Sequence, residues 1–301
     1  MRVNYVTPAD ESMPAVRYRM KLPGEYIGDY EISMVPVEAD IHFFCKPYHQ
    51  DPYLLNAYRD MSSRLTYVFD ICDDIFNRDG PVPQYMRDMA KGATAVTVPT
   101  EVMQKRVKEE TGIDAVIISD PFEFEELECK SIENPKLMWF GSDTNFSTLK
   151  FIETDYPIEL ITKNTKDVKK MRNLCKFPHT FTEWSMENMR KAFNRNNVVI
   201  IPTYSSSTKA HNYIAKSPNR VVESIRSGMA VVCSPIPSYL QFGEWVTLDW
   251  DVNNGIKNLK KMCPDGQKYV RDNFNISIIG EQWKTLFDSI LGVEQKSLRA
   301  G

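Results

Sequence analysis

The stretch that decides the fold spans residues 200–237 and reads IIPTYSSSTKAHNYIAKSPNRVVESIRSGMAVVCSPIP. An apolar run opens this stretch, and a second one, Ala230–Cys233, follows a helix-length segment. Between them Ser217 and Pro218 suit the N-cap and first position of a helix, and Gly228 suits its end. Strand, helix and strand in this order predict a parallel α/β unit.

The same alternation of strand-length and helix-length segments extends over the whole chain. This alternation is interrupted at residues 131–135, a polar stretch that ends in a proline, and begins again after it. We therefore expect two Rossmann-like domains, residues 1–135 and 136–301, with a ligand in the cleft between the carboxyl ends of their sheets. The predicted strands cover residues 3–6, 41–45, 65–69, 95–98 and 115–118 in the first domain, and 136–140, 158–161, 198–201 and 230–233 in the second.

Two predicted helices have clear signals at their ends or along one face. Thr100 suits an N-cap and Gly112 suits the residue after the C-cap of the same helix. Near the C-terminus, Ile279, Trp283 and Phe287 recur at a spacing of four residues. This spacing predicts an amphipathic helix over residues 277–291 that packs on one of the two domains.

Composition excludes several classes of protein. Apolar residues make up 42% and charged residues 26% of the 301-residue chain, which is typical of a folded globular protein. The six cysteines include no C-x-x-C pair, so neither a zinc site nor a disulfide framework is predicted. No apolar leader and no long apolar run occur, so we expect a cytoplasmic protein without a membrane anchor.

The predicted helix entrance near Lys216 combines the features of an anion site. The first amide groups of a helix attract anions, and Lys216 and Arg220 add two positive charges, which suits a diphosphate. Glu223 shares a helix face with Asn219 and Arg220, where a carboxylate can accept hydrogen bonds from ribose hydroxyls. An exposed Arg–Glu pair on an ordinary capped helix explains the same spacing.

Residues 216–239, KSPNRVVE followed by SIRSGMAVVCSPIPSY, resemble the donor-binding segment of nucleotide-sugar glycosyltransferases with the GT-B fold, especially the retaining family 4 type. The resemblance implies an α/β protein with two Rossmann-like domains that face each other across a cleft. It implies transfer of a sugar from a nucleotide diphosphate-sugar donor to an acceptor hydroxyl, with retention. In such enzymes the glutamate matching Glu223 holds the ribose, and the basic residue matching Lys216 or Arg220 holds the diphosphate. The resemblance implies no metal or other cofactor, because amides and cations neutralise the leaving diphosphate.

The family pattern is incomplete in this chain. Ala215 stands where the family has the earlier of two glutamates, next to the donor sugar. Gly141 and Ser142 fit the family's turn after the first strand of the donor domain, but the residues that follow supply no cation. Ser206, in the serine-rich loop 204–208, is a further candidate for a donor contact, although a solvated loop is the alternative.

The first domain offers candidates for acceptor binding. Asp73 and Asp74 follow a predicted strand and are similar to an aspartate cluster of some of these transferases. Because adjacent like charges raise at least one pKa, one of the two suits a catalytic base, and capping of the next helix is the alternative. Arg17 and Arg19 lie in a segment similar to the loop after the first strand of small GT-B enzymes. They are candidates for acceptor binding, or two arginines on a helix surface.

The acceptor itself is not specified by these residues. Short, stand-alone transferases of this sort resemble those of bacteriophages, some of which glycosylate hydroxymethylated pyrimidines in DNA; the location would then be the host cytoplasm. Residues 1–135 contain 14 basic and 24 acidic side chains, a net charge of −10 that opposes DNA binding. Residues 136–301 contain 23 and 16, a net charge of +7 that favours it. A non-catalytic nucleotide-sugar-binding protein and a sugar-nucleotide epimerase are the alternatives from other functional classes.

Overall fold

The computed structural model describes residues 1–46, 52–163, 168, 173, 175–203, 214–262 and 264–292. Spatial contacts divide the chain into two compact units. Unit 1 comprises Met1–Pro121, Ala215–Ser217 and Asn273–Gly301, and unit 2 comprises Phe122–Ile214 and Pro218–Asp272.

The units depart from the predicted domains, residues 1–135 and 136–301, at two places. The chain first passes from unit 1 to unit 2 after Pro121, and not near residue 135, because the backbone amides of Leu127 and Lys130 donate to carbonyl groups of unit 2. The C-terminal helix, Ile276–Leu291, returns to unit 1, because its apolar face packs there. Strand pattern alone does not reveal either contact.

Unit 1 is built on a parallel sheet, which in the described residues has six strands in the order β2-β1-β3-β4-β5-β6. This order turns back between β1 and β3, which places the switch point of the sheet between these two strands. The strands are β1 (Val3–Val6), β2 (Tyr30–Ser33), β3 (Ile41–Cys45), β4 (Tyr67–Asp70), β5 (Ala95–Val98) and β6 (Val116–Ile117).

Helices cover both faces of this sheet, since neighbouring strand residues point in opposite directions. Phe44 and Phe69 are buried on the face covered by α3, α4 and α5, whereas Phe43 is buried on the face covered by the C-terminal helix. There the ring of Phe43 lies 5.1 Å from Trp283 and 6.4 Å from Phe287, centroid to centroid. The helices are α1 (Pro14–Val16), a π-helical turn (Arg17–Lys21), α2 (Leu22–Ile27), α3 (Pro52–Ser62), α4 (Val82–Gly92) and α5 (Glu101–Thr111).

Unit 2 contains a second parallel sheet, with the order β12-β11-β10-β7-β8-β9 in its described residues. Its core includes the fully buried Trp139, Leu160 and Ile200. The strands are β7 (Leu137–Phe140), β8 (Ile158–Thr162), β9 (His179–Glu183), β10 (Val198–Ile201), β11 (Ala230–Cys233) and β12 (Thr247–Leu248). A 3-10 segment (Asp143–Phe151) and five helices accompany them: α6 (Met186–Arg195), α7 (Asn219–Arg226), α8 (Pro237–Leu240), α9 (Val252–Lys257) and α10 (Pro264–Phe274).

All nine predicted strands are present, and five of them, β1, β3, β5, β10 and β11, have the predicted bounds. The sequence pattern missed β2, β9 and β12. Strand β2 is half-buried along its length, β9 is half-buried or exposed, and β12 has two residues, so none of them forms a long apolar run. The caps of α5 are confirmed, because the Thr100 hydroxyl accepts a hydrogen bond from the Met103 amide and Gly112 has a φ of 78°.

Gly228 ends α7 under a steric constraint as well as a conformational one. Its φ is +65°, and a Cβ atom there would lie 2.1 Å from the carbonyl oxygen of Glu128. Gly112 also has a positive φ, +78°, but nothing lies within 4 Å of its Cβ position. Substitution of these two glycines therefore distinguishes the cost of backbone strain from the cost of a clash with a neighbouring segment.

We expect Gly228→Ala to lower the free energy of unfolding by about 3 kcal/mol, because it adds a backbone clash to the strain of a positive φ. Gly112→Ala is the matched control and should cost about 1 kcal/mol, since it introduces the strain alone. Urea denaturation of both variants measures the difference. Equal losses would contradict the close packing of α7 against residues 128–129.

Candidate functional site

A glycine turn at the end of β7 carries the first part of a candidate anion site in unit 2. A Cβ atom on Gly141 would lie 3.5 Å from Nη1 of Arg220 and 3.2 Å from the ring of Trp139. Nη1 of Arg220 also lies 3.4 Å from the carbonyl oxygen of Phe140, to which it donates. The structure thus brings together Gly141 and Arg220, two of the predicted donor-binding residues, and Ser142 follows in the same turn.

This turn lies at the switch point of the unit 2 sheet, where the strand order turns back between β7 and β10. The crevice at such a point is where open α/β sheets bind ligands. Thr203 follows β10 and Tyr239 lies in α8; both are buried, and the Thr203 hydroxyl has no hydrogen-bond partner among the described residues. Burial raises the pKa of Tyr239, and the positive charge of Arg220 opposes this shift.

Glu223 is buried in unit 2, and its carboxylate binds backbone amide groups. It accepts hydrogen bonds from the amides of Glu123 at 2.7 Å and Phe124 at 3.3 Å. These bonds attach the segment that follows Pro121 to α7. Asn219 is the first residue of α7, four residues before Glu223.

Helix α7 begins one residue later than the sequence predicts. Pro218 is the N-cap, and no side chain caps the helix. The Ser217 hydroxyl, predicted to be the cap, instead donates to Oδ2 of Asp120 at 2.6 Å in unit 1. Ala215 is buried in an apolar cluster of the same unit. A carboxylate there would lose its hydration, so the absence of the family's earlier glutamate fits the local packing.

Lys216 lies in a cluster of three charged side chains in unit 1. Its ammonium group is 3.1 Å from Oδ1 of Asp73, and the ammonium group of Lys46 is 2.8 Å from Oδ2 of the same carboxylate. The structure therefore places the predicted phosphate ligand Lys216 against the predicted base Asp73. Lys46 was not predicted, although it directly follows the predicted strand β3.

The electrostatics of this cluster change the role of Asp73. Burial alone would raise the pKa of Asp73, but the charges and hydrogen bonds of Lys216 and Lys46 outweigh it and hold the pKa well below its usual range. A carboxylate with a depressed pKa is a weak general base. The expectation that the aspartate pair raises a pKa was wrong for Asp73, because two cations flank it.

Asp74 lies in a different environment from that of Asp73. It is buried, lies 3.3 Å from Nε of Arg106, and accepts a hydrogen bond from the Phe76 amide. These contacts fix the loop after β4 against α5. Asp74 thus packs this loop and does not cap the next helix, α4, whose N-cap is Pro81.

Arg19 is in the interior of unit 1, and this placement differs from the predicted acceptor contact. Its guanidinium donates to both carboxylate oxygens of Asp70, at 2.5 and 3.2 Å, and to Oδ1 of Asp120 at 3.3 Å. It also donates to the carbonyl of Ile118 and lies 4.9 Å from the ring of Trp283. Four of its five N–H groups have partners, so the side chain serves the core.

Arg17 is also buried, in the same π-helical turn. Its guanidinium donates to the carbonyl of Glu11 at 2.7 Å and lies 5.7 Å from the ring of Tyr18. It is therefore not an arginine on an exposed helix face, which was the alternative. Ser206 and the loop 204–208 lie outside the described residues.

One group of potential metal ligands occurs in the part of the chain that the structure describes. The ligand atoms of Cys45, Asp70 and Cys72 lie within 4.8 Å of one another. However, the Asp70 carboxylate is already engaged by Arg19 and by the hydroxyl of Thr97 at 2.8 Å. A cation would have to compete with the guanidinium, so this group does not favour a metal site. No helix in the described ranges is both long and apolar enough to cross a lipid bilayer.

Comparison with solved structures shows that the chain has the fold of GT-B glycosyltransferases. The predicted fold class, an α/β protein of two Rossmann-like domains with a C-terminal helix, is confirmed. No protein-family model and no curated protein matches the sequence.

Three of the similar structures are as follows. TarM from S. aureus, in complex with fondaparinux, alpha-GlcNAc-glycerol and UDP, has a TM-score of 0.57 and 14% identity over 82% of this chain, but over 55% of TarM. The chain thus spans about half the length of TarM. AviGT4, a glycosyltransferase involved in avilamycin A biosynthesis, has a TM-score of 0.59 and 10% identity over 97% of this chain and 98% of AviGT4. A UDP-forming α,α-trehalose-phosphate synthase from Burkholderia xenovorans, in complex with glucose-6-phosphate, has a TM-score of 0.50 and 9% identity over 84% of this chain and 73% of the synthase.

We expect Arg19→Met to lower the free energy of unfolding by about 3–5 kcal/mol, because it leaves the buried carboxylates of Asp70 and Asp120 without their cation. Arg2→Met is the matched control: Arg2 pairs with Glu31 at the surface, and its loss should cost less than about 1 kcal/mol. Chemical denaturation compares the two variants. A loss no larger than that of the control would restore Arg19 as a candidate for ligand contact.

Asp73→Asn should lower the free energy of unfolding by about 1 kcal/mol near pH 7, because the ion pairs with two partly exposed lysines are lost. A pKa depressed by folding stabilises the fold above the unfolded pKa, about 3.9, and this stabilisation disappears as the pH falls further. The difference between wild type and variant should therefore shrink below about pH 4. Denaturation at several pH values between 3 and 7 measures it, with the exposed Asp114→Asn as control. A difference that grows on acidification would contradict the assigned charge state.

Proposed function

We propose that the protein is a glycosyltransferase that moves a sugar from a nucleotide diphosphate-sugar donor to an acceptor hydroxyl, with retention of configuration. The observation that carries this proposal is the contact between Gly141 and Arg220 at the switch point of the unit 2 sheet. A glycine turn beside a cation and a helix start suits a diphosphate, since amides and the guanidinium can approach its oxygens closely. The GT-B fold of the chain is consistent with this use of the site.

In this proposal the start of α7 is the diphosphate end of the donor site. Arg220 and the first amides of α7 stabilise the negative charge that develops on the leaving diphosphate. Glu223 is assigned to a ribose hydroxyl of the donor, and Ser142 and Asn219 to polar contacts beside the phosphates.

UDP-sugars are the first donors to test. The TarM structure contains UDP, and the trehalose-phosphate synthase is described as UDP-forming. Neither description names a donor for this chain, but both support the choice of UDP as the first nucleotide.

Unit 1 is proposed to receive the acceptor, with a limited role for its carboxylates. Asp73 stays ionised because of its two lysine partners, so it contributes charge and orientation rather than proton removal. Asp74 and Arg19 are committed to the interior of the unit. The acceptor is assigned here only as a hydroxyl compound, with hydroxymethylpyrimidine DNA as one specific candidate.

A nucleotide-sugar-binding protein without catalysis is the second candidate. The buried Ala215, in the place of a glutamate next to the donor sugar in the family, favours it. The two candidates differ in whether a nucleotide diphosphate is released.

A donor screen tests the proposal. The full chain is incubated with a panel of nucleotide sugars, with and without hydroxymethylpyrimidine DNA, and mass spectrometry follows free nucleotide diphosphate and any added sugar mass. We expect release that Arg220→Met lowers by about a hundredfold, since one charge-assisted contact to the leaving group is lost. Arg190→Met, an exposed arginine of α6 in the same unit, is the control and should leave release unchanged.

The outcomes separate the two candidates. A sugar mass added to DNA would identify DNA as the acceptor. Release of nucleotide diphosphate without that added mass would indicate a different hydroxyl compound as the acceptor. Binding of a nucleotide sugar without release by the folded protein would contradict transfer and support the binding protein. Release that is equally fast in Arg220→Met would contradict the assigned diphosphate site.

A further inference from the structure

Two cysteines of unit 1, Cys45 and Cys72, face each other at the carboxyl ends of neighbouring strands. Cys45 is the last residue of β3, and its Cα partner on β4 is Asp70, two residues before Cys72. The two Sγ atoms lie 3.9 Å apart. Both side chains pack in one apolar cluster, on the sheet face that the C-terminal helix covers. The two thiols are thus in contact, although 27 positions separate them in the chain.

The surroundings of the two thiols favour an uncharged form of sulfur. Cys45 is fully buried, and a carboxylate oxygen of Asp70 lies within 4.8 Å of both Sγ atoms. Burial raises the pKa of the Cys45 thiol, and the contacts with Cys72 and Asp70 raise it further. Two thiolates around a metal ion would add negative charge beside Asp70, whose carboxylate already pairs with Arg19. A disulfide bond carries no charge, so it suits this position better than a metal thiolate does.

The two cysteines differ in how well a solute can reach them. Cys45 is held within β3 and is closed off from solvent, whereas Cys72 is partly exposed and lies in the loop after β4. A disulfide bond is about 2 Å long, so the two sulfur atoms have to approach each other by about 2 Å. Because Cys72 lies outside the strands, a rotation of its side chain brings the sulfur atoms together without a change in the pairing of β3.

We propose that Cys45 and Cys72 form a redox modification site, which a small-molecule disulfide such as oxidised glutathione converts into an internal disulfide bond. The Cys72 thiolate attacks one sulfur of the reagent, whose S–S bond breaks and releases a first reduced thiol. The Cys45 thiolate then attacks Sγ of Cys72 and releases the second reduced thiol. Each cysteine gives one proton to a released thiol. Two protein thiols are thereby oxidised to one disulfide, and one reagent disulfide is reduced to two thiols.

The bond joins the end of β3 directly to the loop after β4. It closes the chain from residue 45 to residue 72, a segment that includes α3 and β4. Closure of a segment restricts the unfolded chain, so the oxidised protein should be more stable than the reduced protein. Both thiols belong to unit 1, and the modification is independent of whether the protein transfers a sugar.

Peptide mass spectrometry on the full chain tests this site. The protein is incubated with oxidised glutathione, the remaining thiols are alkylated, and the chain is digested without a reductant. We expect a cross-linked pair of peptides that joins Cys45 to Cys72 and that dithiothreitol separates. Cys233→Ala is the matched control, because Cys233 is also the buried last residue of a strand, β11 of unit 2, and its loss should leave the cross-link unchanged.

Substitution of either cysteine distinguishes a paired site from two thiols that react independently. In Cys45→Ala no second thiol can displace the reagent from Cys72, so we expect a mixed disulfide with glutathione at Cys72 that the wild type does not accumulate. In Cys72→Ser the buried Cys45 should stay reduced. Absence of the cross-link in the wild type, a measurement that needs no variant, would overturn the site. Equal amounts of the mixed disulfide at Cys72 in the wild type and in Cys45→Ala would also overturn it.

Urea denaturation of the reduced and the oxidised wild type gives an independent measurement. We expect the oxidised protein to unfold at a higher urea concentration, and Cys72→Ser to unfold at the same concentration with and without the oxidant. An oxidised wild type that unfolds at an equal or lower urea concentration would contradict a bond that the native strands accommodate.

Discussion

The buried guanidinium of Arg19 is the interaction on which the candidate acceptor region depends. It joins three segments that are distant in sequence: the end of β4 through Asp70, the chain after β6 through Asp120, and the C-terminal helix through the face of Trp283. Burial would lower the pKa of Arg19, but the two carboxylates more than offset this, so the side chain stays charged. A buried charge that lost its partners would be costly, and the three segments are therefore fixed together.

The same network positions one side chain of the candidate site. Asp120 accepts a hydrogen bond from the Ser217 hydroxyl, which holds the segment Ala215–Ser217 within unit 1. Lys216 lies inside this segment and reaches Asp73. The chain then enters α7 of unit 2, where Arg220 lies beside Gly141. One stretch of eight residues thus supplies cations and a carboxylate to the candidate sites of the two units.

The sequence predicted the sheet elements well where strands are fully buried and poorly where they are half exposed. β10 and β11 have continuous apolar runs, so period and length identified them, and the turn chemistry of Thr100 and Gly112 identified the ends of α5. β2 and β9 are edge strands with mixed polarity, and their pairing comes from neighbouring strands rather than from their own pattern. The unit boundary was displaced for the same reason, because the backbone bonds of residues 127–130 to unit 2 are contacts that composition does not report.

The sequence by itself determined the fold class and the two parallel sheets, because these depend on local period, caps and residue types close together in the chain. The tertiary structure alone decided which charges face each other. It brought Lys46 and Lys216 into contact with Asp73, and this contact lowers the pKa of that carboxyl. It also buried Arg19 in the core, away from the predicted acceptor contact. A pKa depends on charges within a few ångströms in space, and Lys216 is 143 residues from Asp73 in the chain. Spacing along the sequence does not contain that distance; packing of the sheet sets it.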